Sequence, residues 1–193
     1  MADRHVSVAE PILGEAEREN VQQVLDSGRF LQGPMVEEFE AKWADYVGTQ
    51  HAVAVSNGTA AIQLVLKAIG LKPGEEVIVP SLTFGSTATA VVHQAGVPVF
   101  ADIDRELYTL DHTDLERCLT DETAAVMVNS PNNPTGAVYD AETMEAMVDL
   151  AADHDALLVS DEVYDHYDYS GRFESALAAD SAHAVVTNSF SKS

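Results

Sequence analysis

The sequence predicts an α/β fold: a three-layer αβα sandwich whose mostly parallel sheet is covered by helices on both faces. Two observations lead there. From residue 51 onward, short and nearly continuous apolar runs alternate with segments of helical periodicity; strands buried on both faces read this way. The polar residues of this half then collect at the carboxyl ends of those runs, where open parallel sheets place their ligands.

Residues 1–14 read as an irregular arm ending in Pro11-Ile-Leu-Gly14. Glu15 to Asp26 is expected to be a helix, with Ala16, Val21, Val24 and Leu25 on one stripe and Ser27-Gly28 as its stop. Gly33-Pro34 opens a second helix, Met35 to Tyr46, whose Val36, Phe39, Trp43 and Tyr46 recur at three- and four-residue steps before Gly48. The alternation follows. Strands are expected at 51–55, 76–79, 97–101, 123–129, 156–160 and 183–187. Helices are expected at 59–69, 84–94, 113–119 and 141–154. The chain thus divides into an arm with two helices, 1–50, and a large domain, 51–193.

Of 193 residues, 46% are apolar, enough for a sizeable core. Thirty-two acidic against ten basic residues give a net charge of −22, the wrong sign for nucleic acid or an anionic membrane. The acids are distributed rather than blocked into a tail, a pattern suited to high salt, where screening removes self-repulsion; an acidic mesophilic protein would look the same. A single cysteine, Cys118, excludes an internal disulfide framework and points to a reducing, cytoplasmic setting. No leader peptide and no apolar run of membrane-spanning length, about 20 residues, is visible.

Five polar segments end the apolar runs: Ser56-Asn-Gly-Thr59, Pro80-Ser-Leu-Thr-Phe84, Asn129-Ser-Pro-Asn-Asn-Pro-Thr-Gly136, Ser160-Asp-Glu-Val-Tyr164 and Ser189-Phe-Ser-Lys192. In the first, free amide groups at a helix start suit a phosphate; plain N-capping is an equal reading. No Gly-x-Gly-x-x-Gly or P-loop pattern competes. Phe84 is either a core ring or a stacking face for a flat heteroaromatic. Asn132-Asn133-Pro134 is turn chemistry that also carries an amide donor. Asp161 closes an apolar run, so its carboxylate is poorly solvated and wants a cation, yet beyond Arg117 the only basic residues are Arg172 and Lys192. A protonated pyridine nitrogen would serve. Tyr164 supplies a phenol nearby.

Lys192 is one of four lysines, and it alone follows a strand-like run, flanked by Ser189, Ser191 and Ser193. A lysine amine made partly neutral by its surroundings attacks carbonyls, including the aldehyde of pyridoxal 5'-phosphate (PLP). Alone, Ser-x-Ser-Lys reads better as a solvated surface lysine; the four segments upstream reverse that preference.

With these residues in hand, the chain resembles the fold-type I PLP-dependent aminotransferases. Residues 123–193 resemble the class I/II, aspartate aminotransferase-like family through Asn132-Asn-Pro-Thr-Gly136, Asp161-Glu-Val-Tyr164 and Ser189-Phe-Ser-Lys192. Residues 11–110 are closer to the sugar (DegT/DnrJ-type) aminotransferases through Gln32-Gly-Pro-Met-Val-Glu-Glu-Phe-Glu40, Ser56-Asn-Gly-Thr-Ala-Ala61 and Pro80-Ser-Leu-Thr-Phe84. The resemblance implies that Lys192 joins the cofactor and then shuttles the proton. It pairs Asp161 with the pyridine nitrogen and sets Asn133 and Tyr164 on the phenolic oxygen. It stacks Phe84 on the ring, gives the phosphate to Gly58, Thr59 and Ser189, and puts Gly33 at the substrate entrance. No metal ligand is assigned.

The implied activity is ping-pong transfer of an amino group from an amino acid to a 2-oxo acid. The alternatives are a nucleotide-sugar aminotransferase, for which Arg29 is the nearby basic candidate, and a non-catalytic PLP-binding or dimerisation module. A homodimer is implied as well. The family's phosphate arginine after the lysine, its substrate-carboxylate arginine and its small C-terminal domain would all fall beyond Ser193. The chain therefore reads as a truncated large domain, either a partial sequence or a remnant.

Overall fold

A computed structural model of the chain describes residues 13–190. The chain forms two compact units, 1–55 and 56–193.

In the first unit, α1 (Glu15–Ser27) and α2 (Pro34–Val47) end as the sequence leads one to expect. Gly28 and Gly48 take left-handed conformations, with φ 66° and 78°, that a side chain would strain. Pro34 sits at the first turn of α2, where its missing N–H costs nothing. Along α2 the Phe39, Trp43 and Tyr46 rings follow one another at 6.4 and 5.3 Å. Residues 51–55, expected to be a strand, form none. No described strand pairs with this segment, and the Ala54 N–H donates instead to Glu40 Oε1 at 2.8 Å. An apolar run can specify extended backbone, but only a neighbour with free ladder groups makes it a strand.

The second unit is the sandwich. Its strands are β1 (Glu76–Pro80), β2 (Val97–Ala101), β3 (Thr123–Asn129), β4 (Leu157–Asp161) and β5 (Ala184–Thr187). They pair in the order β2-β1-β3-β4-β5, every pair parallel. Alternating side chains feed two cores. Ile78, Val126, Val128 and Leu158 point to one face, where Leu115 of α5 (His112–Cys118) and Met144, Met147 and Val148 of α6 (Ala141–Asp153) cover them. Val77, Val79, Ala125, Met127 and Val159 point to the other, under Ile62 and Leu66 of α3 (Gly58–Ala68) and Ala90 and Val91 of α4 (Ser86–His93). Burying each such side chain contributes about 1.5–3 kcal/mol, so this two-sided burial fixes the register.

Two departures bear on the site. α4 begins at Ser86 rather than at residue 84, leaving Phe84 in the connecting turn with its carbonyl accepting from Thr87 N–H. The β4-to-β5 connection carries no α-helix. It runs through two single 3-10 turns, Asp165–Tyr167 and Ala176–Ala179, and is held against the sheet by Glu162. Among the described residues no helix is long and apolar enough to cross a membrane.

Candidate active site

Parallel pairing puts the carboxyl ends of all five strands on one edge of the sheet. At its centre, Asn129 ending β3, Asp161 ending β4 and Thr187 ending β5 lie side by side in register. Asn133, Tyr164 and Ser189 follow the ends of these three strands in the chain.

Asp161 is only partly buried by contact, but its carboxyl is pushed above the ordinary carboxylate range by desolvation. The Val163 N–H opposes that shift, as does the nearby Thr187 hydroxyl, which is buried without completing a hydrogen bond of ordinary geometry. Among the described residues no basic side chain forms an ion pair with Asp161. Such a carboxylate gains most from a cation with an N–H to offer.

Asn133 Nδ2 donates to Tyr164 Oη at 2.9 Å, so these two residues, 31 apart in sequence, form one polar pair. Ser189 lies two residues beyond β5. Its backbone N–H donates to Asn188 Oδ1 at 2.6 Å, and Asn188 Nδ2 donates in turn to Asp165 Oδ2 at 2.9 Å. Gly58 and Thr59 are the first two residues of α3. Asn57 caps the helix by accepting from the Ala60 N–H at 2.9 Å, so the capping reading holds, while the N–H groups of Gly58 and Thr59 have no intrahelical partner. A side chain at Gly58 would meet nothing within 4 Å, which is the room an anion needs. Phe84 is 69% exposed, a free ring in the turn after β1. Gly33 is the N-cap of α2 in the first unit. Lys192 lies outside the described residues.

Four polar residues were given no role by sequence reasoning. Asn129 is buried and bonded twice, accepting from Asn133 N–H at 2.8 Å and donating to the Asp161 carbonyl at 2.7 Å. Glu162, 3% exposed, accepts the Ala176 N–H at 2.8 Å, and burial raises its carboxyl. Asn188 and Asp165 complete the set. A usable signal existed for Asn129 and Glu162: a polar side chain at the end of a wholly apolar strand needs an internal partner.

These residues fit PLP. Among the described residues no cation pairs with the desolvated Asp161 carboxyl, the Asn133–Tyr164 pair offers polar hydrogens, and the open start of α3 suits a phosphate. Bound there, the cofactor would supply an electron sink for the charge left when a substrate Cα–H bond breaks. Asp161 would hold a proton on the ring nitrogen, Asn133 and Tyr164 would orient the ring, and Gly58, Thr59 and Ser189 would bind the phosphate.

Comparison with known proteins agrees. The DegT/DnrJ/EryC1/StrS aminotransferase family matches residues 11–172. The match runs through 123–172, the stretch whose motifs look closer to class I/II. The chain is 40% identical over 157 residues to the spore coat polysaccharide biosynthesis protein SpsC of Bacillus subtilis, covering 81% of this chain and 39% of that protein. It is 38% identical to the GDP-perosamine synthase of Caulobacter vibrioides, covering 81% of this chain and 41% of the synthase. Among solved structures, the aspartate aminotransferase of Thermus thermophilus with maleate superposes with a TM-score of 0.79 at 33% identity, over 91% of this chain and 48% of that one. The chain thus spans about two fifths of the length of the curated relatives it matches. PLP is the cofactor of these aminotransferases. By the family match and the sheet edge that carries its polar residues, the chain belongs to the DegT/DnrJ/EryC1/StrS aminotransferase family.

Proposed function

We propose that this chain is the cofactor-binding part of a PLP-dependent aminotransferase that aminates a keto group on a nucleotide-linked sugar. One observation carries the reading: the Asp161 carboxylate, desolvated and without a basic partner among the described residues, stands in register beside the Asn129–Asn133–Tyr164 chain in a member of this family. The sugar substrate rests on the relatives, one of which is a GDP-perosamine synthase. It takes precedence over the transfer to a 2-oxo acid expected from the class I/II motifs. That second reading keeps one specific support, the likeness to an aspartate aminotransferase. Lys192 is proposed as the amine that joins the cofactor and moves the proton, Phe84 as the ring that stacks on it, and Gly33 as a residue of the substrate entrance. The large domain is taken as 51–193 and its working form as a homodimer. The −22 charge suits it to high salt.

The test uses the full chain with PLP. A bound-cofactor absorbance band in the visible or near ultraviolet, removed by borohydride and absent in Lys192→Ala, is the expected result. An amino donor should discharge the band, and a keto-sugar nucleotide should restore it faster than a 2-oxo acid does. Faster restoration by the 2-oxo acid would select the second reading. A band that ignores every amino donor would mark a non-catalytic module, and no band at all would end the cofactor assignment.

A further inference from the structure

Asn129 is the last residue of β3, 8% exposed, and both ends of its amide are engaged. Its Oδ1 accepts the backbone N–H of Asn133 at 2.8 Å. Its Nδ2 donates to the backbone carbonyl of Asp161 at 2.7 Å. The same carbonyl also accepts the Ser130 N–H at 3.2 Å. One buried side chain therefore ties the 130–136 loop to the end of β4, joining the two residues proposed to meet the cofactor's phenolic oxygen and ring nitrogen. Asn133 passes the constraint on through its own amide to Tyr164 Oη.

The loop has other internal bonds. Asn132 N–H pairs with the Ala137 carbonyl, Gly136 N–H with the Asn132 carbonyl, and Thr135 Oγ1 with Asn132 Oδ1. These shape the turn on itself. None of them joins Asn133 to β4; the Asn129 side chain does. A hydrophobic residue here would satisfy the core equally well and leave the Asn133 N–H and half of the Asp161 carbonyl unpaired, so the choice of a buried amide needs an explanation beyond packing.

We propose that Asn129 is a positioning residue for the cofactor: it sets the spacing between the Asp161 carboxylate and the Asn133–Tyr164 pair, and so couples the grip on the ring nitrogen to the grip on the phenolic oxygen. The proposal rests on the PLP reading above. It makes no claim that Asn129 touches the cofactor or substrate.

The test is a double-mutant cycle on PLP affinity and on the pH midpoint of the bound-cofactor band, measured on the full chain. Asn129→Ala should weaken PLP binding about tenfold, the size expected for losing roughly one net hydrogen bond's worth of placement, and should move the pH midpoint. In an Asn133→Ala background the same substitution should cost clearly less, because part of its effect runs through Asn133. Asn129→Asp keeps the volume and the acceptor for Asn133 N–H but loses the donor to Asp161. It should retain part of the affinity while still moving the midpoint. In the ligand-free chain, hydrogen exchange at the Asn133 amide should speed up in Asn129→Ala and stay slow in Asn129→Asp.

Losses that add fully across the cycle, or a midpoint that no Asn129 variant moves, would overturn the positioning role while leaving the cofactor assignment intact. Collapse of the fold in both Asn129 variants would also overturn it, in favour of a purely structural role. A wild-type chain that takes up no PLP would overturn the reading and the inference together.

Discussion

Asp161→Asn separates what the site costs the empty protein from what it gains on binding. The substitution keeps the shape and removes the charge. In the ligand-free fold, desolvation raises the Asp161 carboxyl above its ordinary value of 3.8. Between that value and the raised one, the folded state holds more protons than the unfolded state. Stability therefore falls as pH rises through this window, and the full penalty is present above it. Each tenfold change in proton affinity is worth about 1.4 kcal/mol. A neutral amide carries no such penalty, so the ligand-free variant should be more stable than wild type at neutral pH, with the gap closing below about pH 4, where the unfolded carboxyl takes up its proton. Binding should move the other way. A charge-assisted hydrogen bond contributes about 1.5–3 kcal/mol, so its loss should weaken PLP affinity roughly 10- to 150-fold. Urea unfolding at pH 4, 5.5 and 7.5, with PLP titration on the same samples, measures both. A variant that is less stable than wild type at pH 7.5, or that binds PLP with unchanged affinity, would refute the argument.

Three further outcomes follow from the same geometry. Leu158→Ala removes a side chain with no exposed surface from the centre of β4 and should cost about 3–5 kcal/mol in urea unfolding; a loss near 1 kcal/mol would mean that the α5–α6 face collapses around the gap. Tyr139→Phe should cost about 1–3 kcal/mol, because the buried Tyr139 hydroxyl, pushed up to about 12 by desolvation, accepts the Leu110 N–H at 2.8 Å and a phenylalanine ring offers no acceptor in its place; urea unfolding of the variant reads the difference. Asn188→Ala frees the Ser189 backbone from the Asp165 tether and should weaken PLP binding several-fold while leaving the unfolding midpoint nearly unchanged, as read by paired titration and melting.

Most of the fold was legible in the residues themselves. Apolar runs of strand length between amphipathic helices predicted all five strands of the sheet to within a residue or two at either end, and Gly28, Gly48 and Pro34 marked helix ends by backbone conformation alone. These signals are local: side-chain period, left-handed φ and a missing N–H act over a few residues. The same was true of Asp161, Asn133 and Tyr164, which stand out as polar groups where apolar strands stop. Residues 51–55 show the limit, since their sequence is that of a strand and their environment offers no described ladder.

What tertiary structure alone decided is which of these groups meet. The register Asn129–Asp161–Thr187 depends on three strands separated by two crossovers. The Asn133–Tyr164 bond depends on that register in turn, and so does the double engagement of Asn129. Hydrogen-bond partners far apart in sequence leave no periodic trace in it, because the energy that brings them together lies in the two buried faces of the sheet. The one-dimensional chain therefore names the polar groups, and the packing of Val77 to Val79, Val126 and Leu158 determines their distances.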